Sequence, residues 1–297
     1  MKEVIIETIK AGLKNNLADL NVADVEYIST VKNNGVTHEG FRVVFDSIEI
    51  SPCLYLDNLD IDLNEMSGIE IQCVINKLSD RFRTVHTWID DFDSNVLSFE
   101  NTKNNIFATL VNYERNKSVL EGHVHKRYLD LAIVPRVRSK VNDSYGSYMI
   151  PKGVLKEWNI TTDDCIETAL SNYKNIFNVQ IVNLQSFMED IGALPPDSPP
   201  SEPELYIVSN DLCYYGAAAI LLKDSFSDIY ELVEDDYILI PSSINEFLVC
   251  PYNDDLSIDY MKNMVREINS TVLKEEEYLS DNIYRYFHST NALSIVE

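Results

Sequence analysis

Half of the prolines in this chain are concentrated in one short segment. Five of the ten lie within nine residues, from Pro195 to Pro203, with Asp, Ser and Glu between them. Proline lacks a backbone N–H and fixes φ, so the segment cannot form a helix or an inner strand and favours an extended connector. The sequence therefore predicts an N-terminal region over 1–192, subdivided near 95–100, a linker over 193–204 and a C-terminal lobe over 205–297.

Apolar spacing predicts helices and strands that do not alternate regularly along the chain. Three- and four-residue spacing predicts helices over 1–20, after Ser67 and over 257–273, and a further helix is expected over 226–233. Capping residues predict a helix after Thr161. Residues 102–113 are interpreted as a helix, with a strand as the alternative because of their β-branched and aromatic residues. Strands are predicted over 25–31 and 40–50 around the turn Asn33-Asn34-Gly35, over 53–56, 128–138, 205–208, 216–222 and 237–240, and in a closing hairpin over 283–296. Without βαβ units, we expect an α+β fold of mixed or largely antiparallel sheets with flanking helices, in two lobes.

The charge of the chain excludes some classes of protein. Lys and Arg number 24 against 48 Asp and Glu, a net charge of −24, so a uniformly basic nucleic-acid binder is excluded. No segment approaches the ~20 consecutive apolar residues of a membrane helix, so we expect no membrane partner. The five cysteines are scattered and form no CxxC pair, which favours reduced thiols and a cytoplasmic location.

The common catalytic and cofactor motifs are missing from the sequence. The nine glycines are never closer than five residues apart, so a GxGxxG loop is impossible. No HExxH and no GxSxG sequence occurs, which removes the commonest zinc-protease and α/β-hydrolase signatures. We therefore predict no cofactor, no metal centre and no catalytic residue from motifs alone.

His123 and His125 form the one close histidine pair of the sequence. In an extended backbone the two imidazoles point to the same side, and with Asp130 they suit a divalent metal or acid–base chemistry. One hypothesis is therefore a metal-assisted hydrolase or nuclease in which Arg136 and Arg138 hold phosphate. The competing interpretation is a polar loop that leads into the strand beginning at Tyr128.

Basic residues are concentrated between residues 115 and 140. This segment holds 7 basic and 2 acidic residues, a charge of +5, which leaves −29 on the remaining 271 residues. Candidate anion-binding residues are Lys126, Arg127, Arg136, Arg138 and Lys140, of which the last three alternate along a predicted strand and share a face. They suit phosphate, an acidic partner or, as a third hypothesis, direct nucleic-acid binding. The alternative is that they neutralise the protein's own carboxylates.

Several segments resemble an uncharacterised family of proteins from gut anaerobic bacteria, a domain of unknown function often carried on mobile elements. The matching stretches are 112–116, 128–134, 209–210, 215–218, 238–243 with Glu246, 264–271 and 279–281. Residues of unknown role within these stretches are Asn112, Asn116, Asp130, Asn210, Gly216, Ser242, Ser243, Glu246 and Asp281. The family often carries histidine where this chain has Asn245, which argues against catalysis at that position. The resemblance implies a bacterial setting and brings no activity with it.

These observations favour a non-enzymatic cytoplasmic protein that binds another macromolecule. The absent catalytic motifs and the acidic surface support an unidentified protein partner. In the sharper form of this hypothesis, the acidic surface imitates nucleic acid and occupies a nucleic-acid-binding host protein.

Overall fold

The chain forms two compact units. The computed structural model describes residues 2–46, 51–89, 98–141, 144–196 and 198–296. The first unit comprises residues 1–32, 36–101 and 140–144, and the second comprises 33–35, 102–139 and 145–297. Helices and mostly antiparallel strands occur in both without βαβ alternation, so the fold is α+β as predicted.

The first unit combines one three-stranded sheet with two long helices. Its elements are α1 (Lys2–Asn16), β1 (Val22–Val31), β2 (Thr37–Phe45), β3 (Cys53–Tyr55) and α2 (Gly68–Ile89), and the short helix α3 (Phe99–Thr102) follows where this unit ends. The strands pair antiparallel in the order β1-β2-β3. Ile9, Leu13, Phe41, Leu78 and Phe82 are fully buried between the helices and the sheet.

Turn and capping residues in the sequence predict two features of the first unit correctly. The predicted hairpin around Asn33-Asn34-Gly35 is confirmed, because Val31 pairs with Thr37 and the register continues to Val25 opposite Val43. Residues 47–50, at the end of the strand predicted over 40–50, lie outside the described residues. The predicted start of α2 is also confirmed. The Glu70 N–H donates to Ser67 Oγ at 3.3 Å, and the Ser67 N–H donates to Glu70 Oε2 at 2.7 Å, which is a capping box.

The second unit contains a four-stranded sheet and a six-stranded sheet. Its first half comprises β4 (Ile106–Asn112), α4 (Lys117–Leu120), β5 (Lys126–Tyr128), β6 (Leu131–Val141), β7 (Ser144–Met149), α5 (Lys152–Trp158) and α6 (Thr162–Ile176). Its second half comprises β8 (Val179–Asn183), α7 (Leu184–Asp190), β9 (Tyr206–Asn210), α8 (Lys223–Val233), β10 (Tyr237–Ser243), β11 (Glu246–Pro251), α9 (Ile258–Thr271), β12 (Tyr284–Phe287) and β13 (Ala292–Ile295). The larger sheet has the order β13-β12-β10-β11-β9-β8, and β4, β5 and β7 all pair with β6 in the smaller one.

The C-terminal predictions agree with these elements. The helices predicted over 226–233 and 257–273 are α8 and α9, and the closing hairpin is the antiparallel pair of β12 and β13. One face of α9 buries Met261 and Val265 against Ile238, Ile240 and Cys250 of the six-stranded sheet. Met264, Ile268 and Val272, which have the same apolar spacing, are exposed, so the period predicts the helix but only part of its core-facing side.

Three elements of the second unit differ from the first interpretation of the sequence. Residues 106–112, interpreted as part of a helix with a strand as the alternative, form strand β4, in which every residue is buried. The strand predicted over 128–138 is divided by a turn, because Leu129 has a φ of 58° and Tyr128 pairs with Leu131. The strand predicted over 216–222 is instead a 3-10 helix over Gly216–Leu221. A strand that is buried on both faces loses the alternation by which sequence distinguishes it from a helix.

The proline-rich segment connects two strands of one sheet. Residues 193–204, predicted as a linker between lobes, follow β8 and α7 and precede β9. β8 pairs antiparallel with β9, from Val179 opposite Asn210 to Asn183 opposite Tyr206. The segment therefore lies within the second unit.

The five cysteines are free and differ in exposure. Cys73 and Cys213 are exposed, whereas Cys165 and Cys250 are buried. Burial raises the pKa of the Cys165 thiol from 9.0 to about 12 and that of Cys250 to about 11. Because the thiolate is the reactive form, we expect a disulfide reagent at pH 8 to modify Cys73 and Cys213 rapidly and the two buried thiols only on unfolding. Peptide mapping of the labelled protein checks this order, and equal rates at all four sites would contradict it.

No helix among the described residues has the length and apolar character needed to cross a membrane.

Candidate functional site

The loop between β9 and the 3-10 helix at Gly216 holds two residues in the left-handed region. Cys213 has a φ of 47° and Tyr215 a φ of 50°. For residues other than glycine this conformation costs roughly 1–2 kcal/mol each, so it persists only where neighbouring groups hold it. Such strain concentrates at functional sites, which makes the loop over 211–215 the first candidate.

Asn210 fixes the loop from inside. Its buried side chain accepts hydrogen bonds at Oδ1 from the backbone N–H groups of Leu212, at 3.1 Å, and Tyr214, at 3.2 Å. Its Nδ2 donates to the Tyr214 carbonyl and to the hydroxyl of buried Tyr173, both at 2.9 Å. These bonds use both N–H donors and both lone pairs of the oxygen of the amide, so the hydrogen-bonding capacity of the Asn210 side chain is fully satisfied by the loop and Tyr173.

Asn245 and Gly216 hold the end of the same loop. Asn245 Oδ1 accepts from the Tyr215 N–H at 3.1 Å, and its carbonyl accepts from Ser209 Oγ at 2.7 Å. A Cβ added at Gly216 would lie 2.2 Å from Ser209 Oγ and 2.4 Å from the Asn245 carbonyl oxygen. Only glycine therefore fits at this point of close approach.

The loop presents Tyr214 and Tyr215 to β6 and β7. The Arg136 guanidinium carbon lies 5.1 Å from the centre of the Tyr215 ring, a cation–π contact. Arg136 Nε donates to Ser147 Oγ at 2.8 Å, and Ser147 Oγ in turn lies 2.7 Å from the Tyr214 hydroxyl. Burial raises the pKa of the Tyr215 hydroxyl, and the charge of Arg136 opposes that shift. The result is a half-buried arrangement of one guanidinium and three hydroxyl-bearing side chains.

A second polar network surrounds Asp130, in the turn between β5 and β6. Asp130 Oδ2 accepts from Ser280 Oγ at 2.6 Å and from Asn282 Nδ2 at 2.9 Å, while Oδ1 accepts from the Tyr284 hydroxyl at 2.8 Å. Burial, followed by the charge of Asp130, raises the pKa of Tyr284, which keeps this hydroxyl protonated as a donor. The carboxylate thus connects the turn to the segment 280–284.

Asparagines extend the network around Asp130. Asn112 Nδ2 donates to the Leu279 carbonyl at 3.0 Å, and Asn116 Nδ2 donates to Asn34 Oδ1 at 2.9 Å. The Asn34 N–H returns a bond to Asn116 Oδ1 at 2.9 Å, and Asn34 Nδ2 donates to the Tyr278 carbonyl at 2.7 Å. Buried backbone carbonyls of one segment are therefore satisfied by side chains distant in sequence.

All nine residues singled out by the family resemblance make close contacts with other residues of the second unit. Asn112, Asn116 and Asp130 belong to the second network, while Asn210 and Gly216 belong to the loop. The other four make short polar contacts: Ser242 Oγ donates to Glu246 Oε1 at 2.9 Å, Ser243 Oγ accepts from the Asn245 N–H at 3.0 Å, and Asp281 Oδ1 accepts from Asn269 Nδ2 at 2.8 Å. These residues hold loops and strand ends together.

The histidines and Asp130 do not form one site. His123 Nδ1 donates to the Val119 carbonyl at 2.7 Å, and His125 Nδ1 donates to the His123 carbonyl at 3.0 Å. Asp130 is engaged by Ser280, Asn282 and Tyr284 instead. Within the described ranges, no group of three or more His, Cys, Asp or Glu side chains is placed to hold a metal ion. The grouping on which a metal-assisted hydrolase depends is thus not formed by these three residues.

The predicted anion-binding residues contact different parts of the second unit. Lys126 pairs with Asp163 at 2.7 Å. Arg127 lies over the Tyr113 ring at 4.6 Å and donates to the Leu129 carbonyl at 3.0 Å, and Arg138 donates to the Ile176 carbonyl at 3.0 Å. Arg136 contacts Ser147 and Tyr215, as described above. The side chain of Lys140 lies outside what the structure describes.

Sequence reasoning missed the residues that complete both networks. Tyr214 and Ser147 carry no motif, and Asn34 is predicted only as part of a turn. Tyr215 and Ser280 lie within the matching stretches 215–218 and 279–281 but are not singled out there. The signal that was available is an asparagine followed closely by Tyr-Tyr-Gly, because asparagine side chains often bond nearby backbone groups.

Comparison with known proteins identifies a protein family for this chain, but the family has no known function. A family model described as a family of unknown function (DUF5688) matches residues 2–288. Neither a curated protein nor a solved structure matches the chain.

Proposed function

Since the chain belongs to the family of unknown function DUF5688, which brings no activity with it, we propose from its charge that it is a non-enzymatic binding protein. Its partner is a protein with a basic surface. The observation that carries this proposal is the excess of carboxylates: pairing each of the 24 basic residues with one of the 48 acidic residues still leaves 24 negative charges. Such a surface attracts cationic partners and accelerates their association.

The excess is distributed over both units. The residues of the first unit include 9 basic and 19 acidic side chains, and those of the second include 15 and 29. Basic side chains are also occupied within the protein, as in the pairs Arg83–Asp19 at 2.7 Å and Arg285–Asp236 at 2.9 Å. Internal pairing of this kind leaves the unpaired carboxylates to dominate the field outside the protein.

One helix carries part of this excess on a single side. Asp224, Asp228 and Glu231 of α8 are four and three residues apart and therefore share a face. All three are exposed, and Asp224 also pairs with Lys174 at 2.7 Å. We take this face of α8 as part of the contact surface.

A protein that normally binds nucleic acid is the partner that best fits this chemistry. An acidic face offers negative charges where such a protein expects phosphates, while nucleic acid itself is repelled. Direct nucleic-acid binding through 115–140 is disfavoured by the contacts that Lys126, Arg127 and Arg138 already make. The setting that we propose is the cytoplasm of a gut anaerobe, in the service of a mobile element.

Capture from a lysate of the native host tests this proposal. We expect the immobilised protein to recover one basic protein reproducibly, with recovery falling several-fold when salt rises from about 0.05 M to about 0.3 M, because exposed charges are screened. Asp228→Asn combined with Glu231→Gln should reduce recovery. The matched control, Lys126→Gln with Asp163→Asn, leaves the net charge unchanged and should bind normally. No reproducible partner, or recovery that is insensitive to salt, would refute the proposal.

A further inference from the structure

Arg136 is a half-buried cation that no described carboxylate approaches within ion-pair distance. Its guanidinium contacts are Ser147 Oγ, the Ser147 carbonyl and the Tyr215 ring. A partly buried charge is normally paired, and this chain offers 48 acidic side chains for the purpose. The unpaired guanidinium therefore indicates a place for an anion from outside the chain.

The donors around Arg136 form a suitable array. Arginine has five N–H groups, of which Nε and one N–H of the second terminal nitrogen bind Ser147, at 2.8 and 3.0 Å. Three N–H groups remain for a ligand. Ser147 Oγ lies 2.7 Å from the Tyr214 hydroxyl, and either oxygen can be the donor. With Ser147 Oγ as the donor, the Tyr214 O–H is left to donate to a ligand.

The array is also held in place. Ser147 fixes the guanidinium plane through two bonds, and Tyr215 lies against it. Asn210 and Asn245 bond the backbone of Tyr214 and Tyr215 in the strained loop. Groups fixed before a ligand arrives lose little entropy on binding, which is what a specific site requires.

We propose that Arg136, Ser147 and Tyr214 form a binding site for a phosphoryl group. A guanidinium fork matches two oxygens of a phosphoryl group, whose third oxygen can accept from a hydroxyl. A carboxylate has two oxygens and one charge, so the same donors would have to share its two oxygens, whereas a phosphoryl group meets them through separate oxygens and carries more charge. This site is independent of the acidic surface proposed above, and either proposal can fail alone.

The test is a titration of the full-length protein with inorganic phosphate, followed by NMR of the backbone amides. We expect saturable shifts at Arg136, Ser147, Tyr214 and Tyr215. Arg136→Met should weaken phosphate binding about tenfold or more, since the charged donors are lost. The control Arg83→Met removes an arginine that is paired with Asp19 at 2.7 Å and should bind phosphate normally.

Acetate and adenosine monophosphate are titrated in the same way to establish which class of anion the site binds. Acetate should bind at least about tenfold more weakly than phosphate, because it lacks the third oxygen. Adenosine monophosphate that binds tighter than inorganic phosphate identifies a phosphate ester as the ligand class, and equal affinity identifies free phosphate. Absent shifts in the unmodified protein, equal binding of acetate, or unchanged binding in Arg136→Met would each overturn the proposal. The titration of the unmodified protein decides the matter even if the variant fails to fold.

Discussion

Replacing Gly216 by alanine is expected to lower the free energy of unfolding by about 3 kcal/mol, the upper range for overpacking a close contact. The added Cβ would lie 2.2 Å from Ser209 Oγ, 2.4 Å from the Asn245 carbonyl oxygen and 2.9 Å from the Asn210 nitrogen. Two of these atoms belong to the backbone and cannot rotate away. The backbone must shift instead, which strains the bonds that Asn210 and Asn245 make to the loop. Denaturant titration followed by circular dichroism measures the loss.

Gly153 provides the matched control for this substitution. It lies in α5 of the same unit, and a Cβ added there meets no atom within 4 Å. Alanine is the better helix former by about 1 kcal/mol, so Gly153→Ala should leave stability unchanged or raise it slightly. Equal losses in the two variants would show that the close approach at Gly216 contributes nothing.

Patterns confined to one element were sufficient to predict much of this fold. The hairpin of β1 and β2, the capping box at Ser67 and the apolar face of α9 each depend on residues within a few positions of one another. Their signals are periodicity, turn preference and capping, all of which act locally. The α+β class follows from the order of such elements.

Errors occurred where tertiary contacts decide the structure. β4 is buried along its whole length, so its residues lack alternation. The turn at Leu129 places a large apolar residue in a left-handed conformation, which no propensity predicts. The proline-rich segment was recognised correctly as irregular, but pairing of β8 with β9 across it is a non-local event.

The candidate sites were hidden for the same reason. Asp130 and Ser280 are 150 positions apart, and Asn34 and Tyr278 are 244 apart. A single sequence carries no signal for such pairs. The family resemblance did single out Asp130 and Asn210. It did not indicate the residues to which their side chains are hydrogen-bonded. Arg136 was identified by its charge, whereas Ser147 and Tyr214 become visible only in the fold.

Replacing Asp130 by alanine is expected to cost about 3 kcal/mol of unfolding free energy. The carboxylate accepts from Ser280 Oγ, Asn282 Nδ2 and the Tyr284 hydroxyl, at 2.6, 2.9 and 2.8 Å. Ser280 and Tyr284 are almost fully buried, so their donors would lose a charged partner and gain no water. Hydrogen bonds to charged groups contribute about 1.5–3 kcal/mol each, but the half-exposed position of Asp130 reduces the sum. Denaturant titration measures the change.

Two variants distinguish the loss of the hydrogen bonds around Asp130 from the loss of a negative charge. Tyr284→Phe removes one of the three donors and should cost about 1.5 kcal/mol, less than Asp130→Ala because the other two bonds remain. Asp163→Asn removes the same charge from an exposed carboxylate that pairs with Lys126, and surface pairs contribute little. We therefore expect Asp163→Asn to unfold like the parent protein. If Asp130→Ala also unfolds like the parent, the network does not anchor the β5–β6 turn.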